Sequence, residues 1–194
     1  MSGKPDKGYR KGYSLLEIMI VVGIVALLAA IAVNTFMGTA DKHRVENETK
    51  EMFANLMDAR ARALQRSRVS FVRVMSTGYE LYEDTYPAPD GNGVLETTLD
   101  RFALGKTAES EMAQGRGFPI RFITNLPGAS AGPGSSQIFQ FDRGGVASIN
   151  GNGYIRLVSD GAARGRHDYD CIVIGPTRVK MGLFNVAGGT CEEK

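Results

Sequence analysis

Few of the 194 residues are of types and spacings that do chemistry. Glu17 stands at the entry to a run without a charged residue, Ile18 to Ala40, where an ion costs about 2.5–3.5 kcal/mol at the centre of a lipid-spanning helix. His43 falls in a helical pattern and His167 in a charged loop, neither with partners at metal-ligand spacing. Asp168 and Asp170 flank Tyr169 beside His167, the composition of an acid–base group, but the stretch reads as a solvated loop. Arg164-Gly165-Arg166-His167 displays cations on a glycine-flanked loop, a chemistry that clamps phosphates without reading base sequence. Asp160, Asp168 and Asp170 lie close by and reduce that field. Gly151-Asn152-Gly153 lacks the strand-to-helix context of a phosphate cradle and reads as a hairpin turn. No metal or cofactor site is expected, and the chain reads as non-enzymatic.

The elements around these residues begin with a basic segment. Lys4, Lys7, Arg10 and Lys11 against Asp6 give the first twelve residues a charge of +3. Positive charge before a first apolar segment holds that end in the cytoplasm and sends the rest outward. The uncharged run is long enough for a helix of roughly 34 Å, which spans a bilayer core. Three fates compete: an anchor left intact, a secretory signal cut after Ala30-Ile31-Ala32, or a leader cut before the apolar run. A membrane-anchored periplasmic enzyme is compatible with such topology, but needs a convergent polar pocket that the residues do not supply.

From Asp41 the composition turns amphipathic. Val45, Thr49, Met52, Leu56, Ala59 and Ala63 recur at spacings of four and three, with Phe53, Met57 and Leu64 beside them, so the helix continues to about Arg66. Arg60, Arg62, Arg66 and Arg68 read as a solvated face near the helix end, where cations suit the dipole. Strand patterns follow at Val69–Met75 and Tyr79–Tyr82, joined by Ser76-Thr77-Gly78. Further strands are expected at Leu95–Ala103, Phe118–Ile123, Ile138–Asp142, Tyr154–Val158, Cys171–Ile174 and Arg178–Met181, with a Gly, Ser and Pro-rich loop from Asn125 to Ser136. A helix followed only by strands predicts an α+β domain in which an antiparallel sheet lies against that helix. The expected order is residues 1–12 as leader, 13–40 as membrane helix and 41–194 as one globular domain, helical over 41–66 and mainly β over 69–194. Cys171 and Cys191 lie on what is then the oxidising side, where they either form a disulfide closing a loop of about 20 residues or stand as two thiols.

Gly12-Tyr13-Ser14-Leu15-Leu16-Glu17 ahead of an apolar helix resembles the type IV pilin and pseudopilin signature. The resemblance implies that a prepilin peptidase cuts between Gly12 and Tyr13 in the inner membrane and that the new amine of Tyr13 is methylated. The +2 of the whole chain then becomes −1, so no partner can be inferred from the overall basicity. It also implies that Glu17 pairs with the N-terminal amine of a neighbouring subunit, where an ordinary anchor would leave it to snorkel. Gly23, Ala26 and Ala30 form a weak small-residue face. Many pilins carry a proline where this chain has Asn34, which leaves Gly38 as the only breaker before the soluble part. Phe141-Asp142-Arg143-Gly144-Gly145, Tyr154-Ile155-Arg156-Leu157 and Gly175-Pro176-Thr177 look like the GspH/FimT group of minor pseudopilins and minor pilins, with Arg143 in place of a proline. That likeness implies a pilin-like fold and partners among other pilins in a type II secretion pseudopilus or type IV pilus. Some FimT-like members take part in DNA uptake, which marks Arg164, Arg166 and His167 as candidate DNA contacts.

Overall fold

The apolar spacing over residues 45–63 does close into a helix, and that helix starts far earlier: α1 runs Leu15–Arg66, 52 residues, through both Asn34 and Gly38. The computed structural model describes residues 13–89, 91–107, 120–159 and 168–194, the side chains of 30–42 and 107 excepted. It divides into two compact units at Met37/Gly38.

In the second unit Val45, Thr49, Met52, Leu56, Ala59 and Ala63 are each at most 4% exposed. Thr49 satisfies its hydroxyl by donating to the Val45 carbonyl, 2.8 Å away, as a polar group in a core must. Around this stripe close ten strands: β1 (Ser70–Met75), β2 (Gly78–Glu83), β3 (Arg101–Thr107), β4 (Ile120–Asn125), β5 (Ser130–Gly132), β6 (Ser136–Phe141), β7 (Gly153–Ser159), β8 (Cys171–Ile174), β9 (Val179–Asn185) and β10 (Thr190–Glu193). They form two five-stranded antiparallel sheets, ordered β3-β2-β1-β6-β5 and β10-β9-β8-β7-β4. One core holds both, with Val72, Tyr79, Leu81, Phe139 and Phe141 from the first sheet and Ile155, Leu157, Ile172 and Ile174 from the second, against the helix stripe.

The single expected sheet is therefore two. The turn Asn150-Gly151-Asn152-Gly153 is not a hairpin; it carries the chain from β6 in one sheet to β7 in the other. Leu95–Asp100 is not a strand either. Asp100 accepts N–H bonds from Thr85, Tyr86 and Glu96, which folds the stretch into a turn and delays β3 to Arg101. Asp84 anchors the same loop by accepting from Asn92 and Gly93. Burial raises the Asp84 carboxyl above its ordinary value despite those two donors, with Asp100 and Glu96 adding repulsion. The loop from Asn125 contains the short strand β5, and β10 pairs the tail with β9 in a stretch with no strand pattern.

Tyr79 couples helix to sheet. It is fully buried, its ring meets Phe122 edge-on at 5.8 Å, and its hydroxyl accepts from Asn55 Nδ2 at 2.7 Å. Burial pushes the phenol up to about 12, the Asn55 bond opposing and Glu48 and Glu51 adding to the rise. A phenol held protonated in the fold contributes stability below pH 10 that is lost as pH rises toward 12, up to roughly 2–3 kcal/mol. Denaturant unfolding between pH 9.5 and 12 is expected to show that loss in the native chain and not in Tyr79→Phe. Parallel curves for the two would refute it.

Candidate functional site

The first described residues carry the chemistry that the sequence singled out. α1 begins at Leu15, and the Ser14 carbonyl accepts from Glu17 N and Ile18 N at 3.0 and 3.2 Å. Ser14 is thus the N-cap and Glu17 the third helical residue. Ser14-Leu15-Leu16-Glu17 has the spacing of a capping box, but no side-chain bond closes it. Glu17 is exposed, and among the described residues its carboxylate has no hydrogen-bond or ion-pair partner. Tyr13 is 80% exposed.

On both sides of Glu17 every large apolar side chain from Leu15 to Leu28 is at least 54% exposed. A helix apolar all round is matched to lipid or to other helices, at about 1.5–3 kcal/mol for each large side chain removed from water. Among the described residues no helix is long and apolar enough to cross a membrane; the uncharged run continues to Ala40, past the described side chains, which stop at Ala29. Gly12 and the basic leader, and Arg164, Arg166 and His167, lie outside the described residues.

The other candidates resolve into structure. His43 is 64% exposed, with Nδ1 3.8 Å from Glu46. Glu46 is buried and accepts the backbone N–H of Asp168 at 2.7 Å, tying the helix to the segment before β8. Asp170 is not in a solvated loop: it is 5% exposed and accepts Phe184 N–H at 2.6 Å. Cys171 and Cys191 form a disulfide between buried β8 and terminal β10. Among the described residues no group of three or more His, Cys, Asp or Glu can hold a metal ion. Lys106 joins β3 to the helix through Glu48 and Glu51, both at 2.7 Å. Burial alone lowers its ammonium, but the two carboxylates outweigh it and raise the group above an ordinary lysine.

The arginines at the helix end keep contact with water, as expected, and three of the four also make contacts. Arg66 Nη1 donates to both oxygens of Glu83 at 2.6 Å, Arg62 and Arg101 approach the same carboxylate at 3.6 and 3.7 Å, and Arg68 donates to the Pro89 carbonyl. Glu83 is 3% exposed while Arg66 and Arg101 are 42% and 61% exposed, so one buried anion clamps α1 to β2 and β3. Glu83→Gln is expected to cost about 2 kcal/mol, less than a fully buried pair because the cations keep water. Arg101→Gln should cost under about 0.5 kcal/mol in urea unfolding; equal costs would dismiss the clamp.

Residues 7–33 match the Prokaryotic N-terminal methylation motif, a span that takes in Gly12, Tyr13, Glu17 and most of the apolar run. The N-terminal segment is type IV pilin-like. A pilin-type N-terminus of this kind implies processing by a prepilin peptidase, anchoring in the inner membrane before assembly, and assembly with other pilins. No curated protein and no solved structure matches the chain.

Proposed function

We propose that this pilin-like protein is a non-enzymatic minor pilin or minor pseudopilin of the GspH/FimT type. Its residues 13–40 hold it in the inner membrane with the amino end cytoplasmic and the globular domain periplasmic. Cleavage between Gly12 and Tyr13 and methylation of the Tyr13 amine prepare it to enter a filament, where it helps to prime or tip a type II secretion pseudopilus or a type IV pilus. The observation that carries this reading is Glu17, an exposed carboxylate without a partner at the head of a helix apolar on every side. The amine of a neighbour's Tyr13 is a counter-ion that only assembly supplies. A subunit that keeps this glutamate sits beneath another rather than at the extreme end.

Mass analysis of the protein from its native host tests the proposal. The expected N-terminus is methylated Tyr13, shifting to Met1 when the prepilin peptidase is deleted. A mature chain beginning at Val33 refutes it. Deletion of the gene separates the two machines, since a pseudopilin is required for secretion of exoproteins and a pilin for surface pili.

A further inference from the structure

On β1, Val72 and Val74 enter the core, so by strand alternation Phe71 lies on the opposite face of the first sheet. There it pairs with Tyr82 of β2 and Gln140 of β6, and it is nevertheless only 2% exposed. The loop that follows β2 lies beside it. Buried Asp84 and Asp100 accept N–H groups of Asn92, Gly93 and Glu96, and the Asn92 side chain accepts the Val94 N–H at 2.8 Å, which fixes Val94 and Leu95 in place. Across from this loop, the turn after β4 is held by bonds from Ala129 N–H to the Leu126 carbonyl and from Asn150 N–H to the Pro127 carbonyl. A cleft of about 450 Å³ remains between the two, in the size range of small-molecule sites and walled by backbone that is already fixed.

The floor of the cleft is Phe71, Ile138 and Gln140, one wall is Val94 and Leu95, and the other is Ser130 and Ser148. None of these side chains carries a charge. Their polar groups have bonding capacity to spare among the described residues: the Gln140 carboxamide and the Ser130 hydroxyl make no hydrogen bond, and Ser148 Oγ accepts the Gln140 N–H at 3.0 Å but donates to nothing.

An ion entering this cleft would leave water without a counter-charge. A peptide that adds itself as a strand needs a free edge, whereas β1 and β6 beneath the cleft are each paired on both sides. The lining suits a ligand with many hydroxyls and apolar C–H faces, which one amide and two hydroxyls can bond while Phe71, Ile138 and Leu95 pack the faces. Those are the properties of a sugar ring. We propose that this cleft binds a neutral saccharide. The site uses no residue of α1 and holds whether or not the chain enters a filament.

Saturation-transfer NMR on the full chain, in a detergent without a sugar headgroup, tests this with maltotriose, triacetylchitotriose, anionic trigalacturonate and a blocked trialanine peptide as probes. Transfer is expected to at least one neutral sugar and not to the anion or the peptide. Gln140→Ala is expected to weaken that binding at least about tenfold while leaving the disulfide and the urea unfolding midpoint unchanged. Three results overturn the inference: no transfer to either neutral sugar, an anion or peptide bound as tightly as the sugar, or native binding by Gln140→Ala. Should that variant fail to fold, Ser130→Ala at its exposed position decides in the same way, with weakened binding expected and native binding overturning the site.

Discussion

Glu17→Leu is expected to be cut and methylated at Tyr13 as usual but to enter filaments roughly two orders of magnitude less, the equivalent of the 2.5–3.5 kcal/mol cost of an unpaired ion in lipid. Two roles compete for this residue. At the third helical position after Ser14 it stands where a capping-box carboxylate would, without making the return bond to the Ser14 N–H, and its charge favours the helix dipole. As a free carboxylate ahead of an all-round apolar helix it also waits for a cation. Glutamine serves a capping box as well as glutamate does but carries no charge. Glu17→Gln therefore separates the roles: filament entry lost along with Glu17→Leu supports pairing with a neighbour's amine, and normal entry leaves only the cap. The readout is the protein recovered in sheared filament fractions against the processed pool in the membrane.

Removing the disulfide is the second large change. Cys171→Ala with Cys191→Ala is expected to lower the unfolding free energy by about 3 kcal/mol, because the bond closes a loop with a sequence separation of 20. β10 has little else to hold it. It is four residues long and largely exposed, paired to β9 and tethered by Glu193 to Arg178 and Lys180. Those contacts also draw the Glu193 carboxyl below its ordinary value, through the Lys180 bond first. Gly182 lies under the crossing. In register it stands between Cys171 and Glu193, and a Cβ there would overlap the Glu192 carbonyl oxygen and sit 2.9 Å from Cys191 Sγ. Gly182→Ala should accordingly lift β10 even with both cysteines present. Hydrogen exchange of residues 190–193 reports this, with fast exchange expected in both variants. Protected amides in the cysteine-free chain would show that strand pairing suffices and the bond is incidental.

What could be read without coordinates was whatever depends on near neighbours in the chain. The Gly12-Tyr13 to Glu17 motif, the uncharged run and the core stripe Val45 to Ala63 are periodic or contiguous, so each residue's type and its spacing carry the message. Most strands announced themselves through β-branched and aromatic runs broken by turn formers. Leu95–Ala103 misled because its run of apolar and β-branched residues is interrupted by Asp100, whose carboxylate recruits N–H groups from 14 and 15 residues upstream. Asp142 was recognisable: it accepts from Gly144 and Val146 within its own turn, and Gly145 adopts φ 69° beside Leu64.

Local composition and period were enough to read a basic segment, an apolar helix led by one carboxylate and a strand-rich domain behind it. Long-range packing settled that the strands divide into two sheets, that Arg62, Arg66 and Arg101 converge on buried Glu83, and that Leu64 stays half exposed while Val45 and Leu56 face in. Each of these turns on which distant segments meet. Hydrophobicity specifies that a residue prefers burial, but the limited area of two sheets against one helix sets which of the apolar positions obtain it.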